Sequence, residues 1–347
     1  MFLIIIGFIF SIFSYLLYRF NIHILKLFLV DIVIYQKIIL FSLSFIILYF
    51  SFIHFKLIFL FLIQASVLCL FFDILLKFVK GYSIYGFIFS AIISLFLVVY
   101  GYYNMNSIFS RKFEIVSEKV SRPYKLLLIS DTHYGNVQRS GVLSSAIDEI
   151  NKNDFDFVIL AGDIVDESTS KEKLVEVFGE LGRINNKNGI YYVTGNHDIL
   201  SFGRNSHFTI SDIRNELHKN DIIFADENSF DINDEITLIG RKDKSLGARK
   251  SLSEYGDLND YVIVIDHQPP KKTDDLSIAD LVLSGHTHAG QIFPFKVFIS
   301  MVNDYVSGLY KKDNTNIIVS SGFAGWNIPV RTHEHSEYVI IDIVPKK

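Results

Sequence analysis

Five short blocks of the chain carry residue types that hold metal ions: Asp131-Thr132-His133, Gly162-Asp163-Ile164-Val165-Asp166, Gly195-Asn196-His197-Asp198, Asp266-His267 and Gly285-His286-Thr287-His288. Each follows an apolar run, which places it on the loop where a strand pattern ends. Two histidines one residue apart, His286 and His288, can converge on neighbouring ions from a single loop. A lone Gly-Asp after a strand is usually a turn, and a lone His before Gln268-Pro269-Pro270 is usually a solvated loop residue. It is the ordered series that points to a site. Hydrolysis of phosphate esters by hard divalent ions uses two of them about 3.5 to 4 Å apart, clamped by a shared carboxylate. The supply matches that need: Asp131, His133 and His288 for one ion, Asn196, His267 and His286 for the second, and Asp163 as the bridge. Donors from His, Asp and Asn, without sulfur, suit Mn, Fe or Zn and do not choose between them. The only cysteine, Cys69, lies in an apolar stretch, which excludes an internal disulfide and a thiolate zinc site.

These blocks need strands to position them. Tyr124 to Ser130, Phe155 to Leu160 and Ile190 to Thr194 read as buried strands, each ending in a ligand block, with helical spacing at Val142 to Ile150 between the first two. Thr169 and Glu172 form a candidate capping box for a helix reaching Ile184. Beyond a helix at Ile210 to Leu217, strand patterns follow at 222–225, 236–240, 261–265, 281–284, 317–321 and 337–344. That many strands after a βαβ portion predicts two sheets, so the expected soluble fold is a two-sheet α/β sandwich flanked by helices, with the site at the strands' carboxyl ends.

The first hundred residues are different. Of the 37 acidic residues in the 347-residue chain, only Asp31 and Asp73 precede Glu114. Residues 1–103 are expected to form a membrane domain of about four helices, 104–123 a polar linker and 124–347 the soluble domain. The expected spans are Met1 to Phe20, read as a retained helix and not a cleaved leader, then 38–55, 57–76 and 85–103. Asn21 to Lys37, with Lys26 and Asp31, reads as an interfacial helix. Tyr100, Tyr102 and Tyr103 stand where an aromatic belt is expected. Arg19, Lys26, Lys37, Lys77 and Lys80 send both termini outward, whereas Arg111, Lys112 and Lys119 pull the other way. The side of the cell membrane stays open, with the reading leaning to an extracytoplasmic soluble domain. A net charge of −4 gives no basic face for nucleic acid, so no nucleic-acid partner is expected.

The ordered set of blocks resembles the calcineurin-like metallophosphoesterase superfamily over about Tyr124 to Val344. The tail Ala289-Gly290-Gln291-Ile292-Phe293-Pro294, then Ser307-Gly308-Leu309-Tyr310, Ser321-Gly322 and Trp326 to Arg331, resembles its membrane-anchored bacterial branch, which includes phosphodiesterases and UDP-2,3-diacylglucosamine hydrolases. The resemblance implies an αββα sandwich, the ligand roles given above, and His197 as the histidine that protonates or stabilises the leaving oxygen. Asp166 is then expected to hold the His197 imidazole in its working tautomer, and Arg331 to contact substrate phosphate. The implied activity is two-metal hydrolysis of a phosphodiester or pyrophosphate that is lipid-linked or nucleotide-linked. The rivals are a phosphomonoesterase on small soluble substrates and a catalytically silent membrane scaffold. Glu167 and Asp198 have no role that the sequence shows, and Trp326 reads as a packing residue, with the lining of a substrate groove as the alternative.

Overall fold

The computed structural model describes residues 2–27, 33–76, 82–199, 207–256 and 258–346. Two compact units divide at Tyr102/Tyr103. The first is helical: α1 (Phe2–Leu27), α2 (Ile34–His54), α3 (Lys56–Leu75) and most of α4 (Tyr82–Met105). Among the described residues, three helices are long and apolar enough to cross a membrane, at Gln36–His54, Lys56–Leu75 and Tyr85–Met105. The fourth expected span lies in α1, where the side chains of residues 1–11 are outside the described set. Of the expected interfacial helix at Asn21 to Lys37, Asn21–Leu27 continues α1 and Ile34–Lys37 opens α2, while residues 28–32 lie outside the described residues. The polar groups among these helices pair with one another. Asp73 accepts from Arg19 Nη2 at 2.9 Å and lies 3.0 Å from His23 Nε2, tying α1 to α3. Pairing of this kind is how charged groups are tolerated in apolar surroundings.

The second unit comprises β1 (Ile108–Ser117), β2 (Tyr124–Ile129), α5 (Val142–Ile150), β3 (Phe157–Ala161), α6 (Lys171–Gly182), β4 (Ile190–Val193), α7 (Asn196–Ile199), α8 (Ile210–Lys219), β5 (Ile222–Phe224), β6 (Asn228–Asn233), β7 (Ile236–Gly240), β8 (Tyr261–Ile265), β9 (Leu281–Ser284), α9 (Phe295–Val302), β10 (Gly308–Lys312), β11 (Thr315–Val319) and β12 (Ser336–Pro345). Two six-stranded sheets form, in the orders β1-β12-β2-β3-β4-β5 and β10-β11-β9-β8-β7-β6. Alternation along the strands sorts their side chains. Leu126 and Leu128 of β2 pack with Phe157, Ile159, Leu238, Ile263 and Leu283 between the sheets. Leu127 and Ile129 face outward, onto Ile147, Leu174, Phe178 and Leu217 of α5, α6 and α8. The outer face of the second sheet is covered by Leu252, Leu276 and Tyr305 from its connecting segments.

The stretch 104–123 is more than a polar linker. Its residues 108–117 pair in parallel with β12 as an edge strand, burying Ile115 between the sheets. Arg111, Lys112 and Glu114 mask the alternation in the sequence, and charges of this kind also protect a sheet edge from further pairing. At α6 the N-cap is Ser170, whose side chain accepts from Lys173 N, and not Thr169. Thr169 instead accepts from Asp166 N and donates to the Tyr134 carbonyl, joining two site loops.

β2, β3 and β4 are parallel, and so are β7, β8, β9 and β11. Each parallel set delivers its carboxyl-end loops to one rim of its sheet. All five ligand blocks are such loops.

Candidate active site

Backbone hydrogen bonds lash the loops together before any side chain is considered. Asp131 N donates to Gly162 O at 3.0 Å and His133 N to Asp163 O at 3.1 Å, joining the loops after β2 and β3. Gly285 N donates to His267 O at 2.9 Å, joining those after β8 and β9. The two sheets meet where His286 N donates to the Asp131 carboxylate at 3.0 Å. Asp198 knots a further pair, its carboxylate accepting from Asp163 N, Val165 N and Gly195 N at 2.7 to 3.0 Å. Burial and the neighbouring charge of Asp163 push the Asp198 carboxyl up to about 7, against the pull of these N–H donors.

Such tight junctions require unusual backbone. Asp131, His133, Asp163, His286 and His288 all have φ between 40° and 71°. A residue other than glycine in this left-handed region costs about 1–3 kcal/mol and persists where the surrounding structure imposes it, most often at functional sites. Gly162 must be glycine: with φ of 78°, a Cβ there would lie 2.6 Å from Gly195 N and 2.7 Å from His267 Nδ1.

Six of the seven ligand-type side chains gather in two groups. Asp131, His133 and His288 form one cluster and Asp163, His267 and His286 the other, each with ligand atoms within 4.8 Å of one another. Asp163 lies between them, its Oδ2 3.1 Å from His267 Nε2 and 3.8 Å from His133 Nε2, while its Oδ1 accepts from His197 N at 2.7 Å. His133 Nε2 and His288 Nε2 face each other at 3.2 Å. These groups fit divalent cations. His288 Nδ1 donates to Ala324 O and His267 Nδ1 to Ala161 O, which leaves each Nε2 with its lone pair aimed inward. His267 Nε2 and the Asn196 Oδ1 carbonyl are buried without a hydrogen-bond partner, a costly condition that a cation would relieve.

Electrostatics divide the ligand groups. Burial alone would raise Asp163, but the imidazoles of His267 and His133 hold it well below the ordinary carboxylate range. Burial and then His267 push His286 down to about 4. Burial, His133 and Arg331 likewise hold His288 well below its usual value. His286 and His288 are thus held neutral, the state that binds a metal ion, whereas the facing carboxylates raise His133 and His267 against burial, so that a cation would take the place of their protons.

Two expected roles are corrected. Asp166 does not hold His197; its Oδ2 lies 3.4 Å from His133 Nδ1, and its carboxylate also accepts from Asn136 Nδ2 at 2.6 Å and Ser168 N at 2.7 Å. The partner of His197 Nδ1 is Glu167 Oε2, at 3.1 Å. One step along a turning loop exchanged the two carboxylates, and nothing in the sequence specifies how that turn is made. Arg331 is not available to substrate either. It is fully buried, donating from Nη2 to Ala324 O at 2.6 Å and from Nη1 to His335 O at 3.2 Å, and burial lowers its pKa to about 10. It buttresses the carbonyl that orients His288. The pair Asp266-His267 is also explained: the buried Asp266 carboxylate is met by Arg241 at 3.2 Å and Arg249 at 2.8 Å, so its charge is balanced away from the ligand imidazole. Trp326, read from the sequence as a packing residue, stands with its ring centroid 4.8 Å from that of His197 and is exposed at the mouth of the site.

Residues 124–290 match the family model of calcineurin-like phosphoesterases. A metallophosphoesterase of Helicobacter pylori is 32% identical over 243 residues, covering 67% of this chain and 63% of the relative. One from Campylobacter jejuni is 32% identical over 240 residues, covering 66% and 61%. A zebrafish (Danio rerio) protein named as a transmembrane protein with a metallophosphoesterase domain is 29% identical over 243 residues, covering 64% of this chain and 53% of the relative. The chain thus spans less than two thirds of the length of these relatives.

Proposed function

We propose that the chain is a membrane-bound, metal-dependent phosphoric ester hydrolase that cleaves a phosphodiester or pyrophosphate on a lipid-linked or nucleotide-linked substrate. The observation that carries this is the pair of adjacent ligand clusters, with Asp163 of one lying 3.8 Å from His133 Nε2 of the other and Asn196 Oδ1 buried without a hydrogen-bond partner. Asp131, His133 and His288 would hold one divalent ion, and Asn196, His267 and His286 the other, with Asp163 between them. Two bound ions of Mn, Fe or Zn would supply an activated water and neutralise charge on the phosphoryl oxygens. His197, oriented by Glu167 at Nδ1, presents Nε2 as the proton donor to the leaving oxygen. Trp326 offers a flat apolar wall beside that proton. The resemblance to the UDP-2,3-diacylglucosamine hydrolase-like branch supplies a substrate class that is both lipid-linked and nucleotide-linked.

The test is hydrolysis of bis(4-nitrophenyl) phosphate beside 4-nitrophenyl phosphate by the full chain, metal-stripped and then resupplied with Mn, with His197→Ala as control. Diester cleavage that needs metal and is lost in the control supports the reading. Cleavage of the monoester alone would replace it with a phosphomonoesterase. No turnover by a folded, metal-loaded protein would favour the silent scaffold. The full chain is required because a truncation beginning near Ser110 would remove Asn104 and Met105. Asn104 Nδ2 donates to Arg331 O at 3.0 Å and to Glu334 O at 2.7 Å, and Met105 is fully buried against Ala324 and Val137.

A further inference from the structure

Helix α9 buries none of its eight residues, although its sequence, Phe-Lys-Val-Phe-Ile-Ser-Met-Val, is almost wholly apolar. Phe298, Met301 and Val302 are 57%, 72% and 75% exposed, and Phe293, just before the helix, is 67% exposed. A continuous apolar surface of this kind marks an interaction site. Lys296 and Ser300 share one side of the helix, which leaves Phe295, Phe298, Met301 and Val302 as an apolar face that is stable only against something apolar.

What surrounds it follows from its connections within the second unit. Phe293 N donates to Thr332 Oγ1 at 3.0 Å, His333 N donates to Gln291 O at 3.2 Å, and Lys296 Nζ pairs with the Glu334 carboxylate. On the same five-residue segment, Asn104 takes the carbonyls of Arg331 and Glu334, and His335 Nδ1 lies 2.6 Å from Asn104 Oδ1. Asn104 and Met105 are the last two residues of the apolar helix Tyr85–Met105. Glu334 therefore touches both the end of that candidate span and the start of α9. Exposed Tyr103, and Phe109 with its ring centroid 4.4 Å from that of His335, add aromatic rings of the interfacial type around the same segment.

We propose that α9, with Phe293, is a membrane-embedded element of the catalytic unit, lying in the interfacial layer of a lipid bilayer, and that it holds the turn carrying His288 close to lipid headgroups. This rests on the phosphoesterase reading for its substrate and narrows that substrate to a lipid-linked phosphate. The coupling to the site is short. Gly290 packs directly on the backbone of Lys296, and Gly290 and His288 belong to one turn. Gln291 Oε1 accepts from Trp326 N at 2.9 Å, and the Trp326 ring lies against His197. Embedding α9 to the depth usual for an interfacial helix, roughly 5–10 Å, therefore fixes the height of the turn that carries His288.

The experiment uses the full chain with Cys69→Ser, reconstituted in vesicles of equimolar phosphatidylcholine and phosphatidylglycerol, with an environment-sensitive fluorophore placed through Phe298→Cys, Met301→Cys or Lys152→Cys. Quenching by nitroxide-labelled phospholipid at 298 and 301, but not at 152, is expected and should persist on dilution of protein in lipid. Aqueous emission at 298 and 301, or shielding that disappears on dilution as contact with a second copy would, overturns the proposal. A second arm measures Phe298→Asp/Met301→Asp against a phosphodiester lipid in the same vesicles and against soluble bis(4-nitrophenyl) phosphate. The expected result is a KM about tenfold or more higher for the lipid substrate, from lost apolar burial, with kcat/KM for the soluble diester moving less than about twofold. Equal losses on both substrates would show a structural role and sink the idea. If the unaltered chain cleaves neither substrate, the phosphoesterase reading fails while the fluorescence still decides where α9 lies.

Discussion

The two ligand clusters are built from the same residue types but are held by different means. Around Asp163, His267 and His286, support comes from neighbouring strand ends: Ala161 O accepts from His267, and His267 O accepts from Gly285 N. Around Asp131, His133 and His288, support comes from the loop between β11 and β12. Ala324 N donates to Asp131 O at 2.9 Å, Ala324 O orients His288, and the buried Arg331 holds Ala324 O in turn. That loop also grips Asn104 and Met105 at the end of α4. One cluster is therefore a property of the sandwich rim, while the other depends on the β11–β12 loop that also holds Asn104 and Met105.

The comparison is broken most completely at the proposed bridge between the clusters. Asp163→Ala should reduce diester hydrolysis by roughly 10⁴-fold or more, as expected when one member of a unit that acts together is removed. Metal analysis should show both ions weakened, and retention of one tightly held ion would mean that Asp163 is not the bridge. His197→Ala should lower kcat by about 10²–10³-fold with metal content unchanged, since proton transfer and ligation are separate duties. If the metal leaves with His197, its role as proton donor has to be abandoned.

Finer substitutions sharpen the difference. Arg331→Met should weaken one ion by about 10–100-fold, the usual cost of disturbing a ligand's hydrogen-bond partner, and leave the other in place, so that a Mn titration becomes biphasic. Uniform loss of both ions would deny the asymmetry. Glu167→Gln should cut kcat by about tenfold at saturating metal, whereas Asp166→Asn should act on metal affinity, recovering activity as Mn is raised. The reverse pattern would restore Asp166 as the partner of His197. Smallest of all, Asn104→Ala should cost roughly 1–3 kcal/mol by leaving buried carbonyls unpaired, read as a lower thermal midpoint with the rim cluster's metal affinity retained.

Much of this was legible before folding because strand ends announce themselves. Leu126 to Ile129, Phe157 to Ala161 and Leu281 to Leu283 are apolar on both faces, so a polar residue immediately beyond each must sit at a rim. The seven ligand types, the two-sheet sandwich and the apolar character of the helical unit follow from such patterns. β1 was hidden because its alternation is interrupted by Arg111 and Lys112. β6 and β10 were missed as well, as strands with polar residues on their exposed faces.

Composition and periodicity, local properties that one segment carries by itself, thus determined which residues could bind metal and which loops bear them. Only the tertiary structure decided which carboxylate serves which histidine, that Arg331 is a buried buttress, and that Glu334 joins the end of α4 to α9. Those pairings depend on left-handed turns at Asp131, His133, Asp163, His286 and His288 and on contacts between separate loops, from 30 positions apart for Glu167 and His197 to 230 for Asn104 and Glu334. Neither leaves a periodic trace in the sequence, because side-chain direction at a turn is fixed by the backbone that surrounds it.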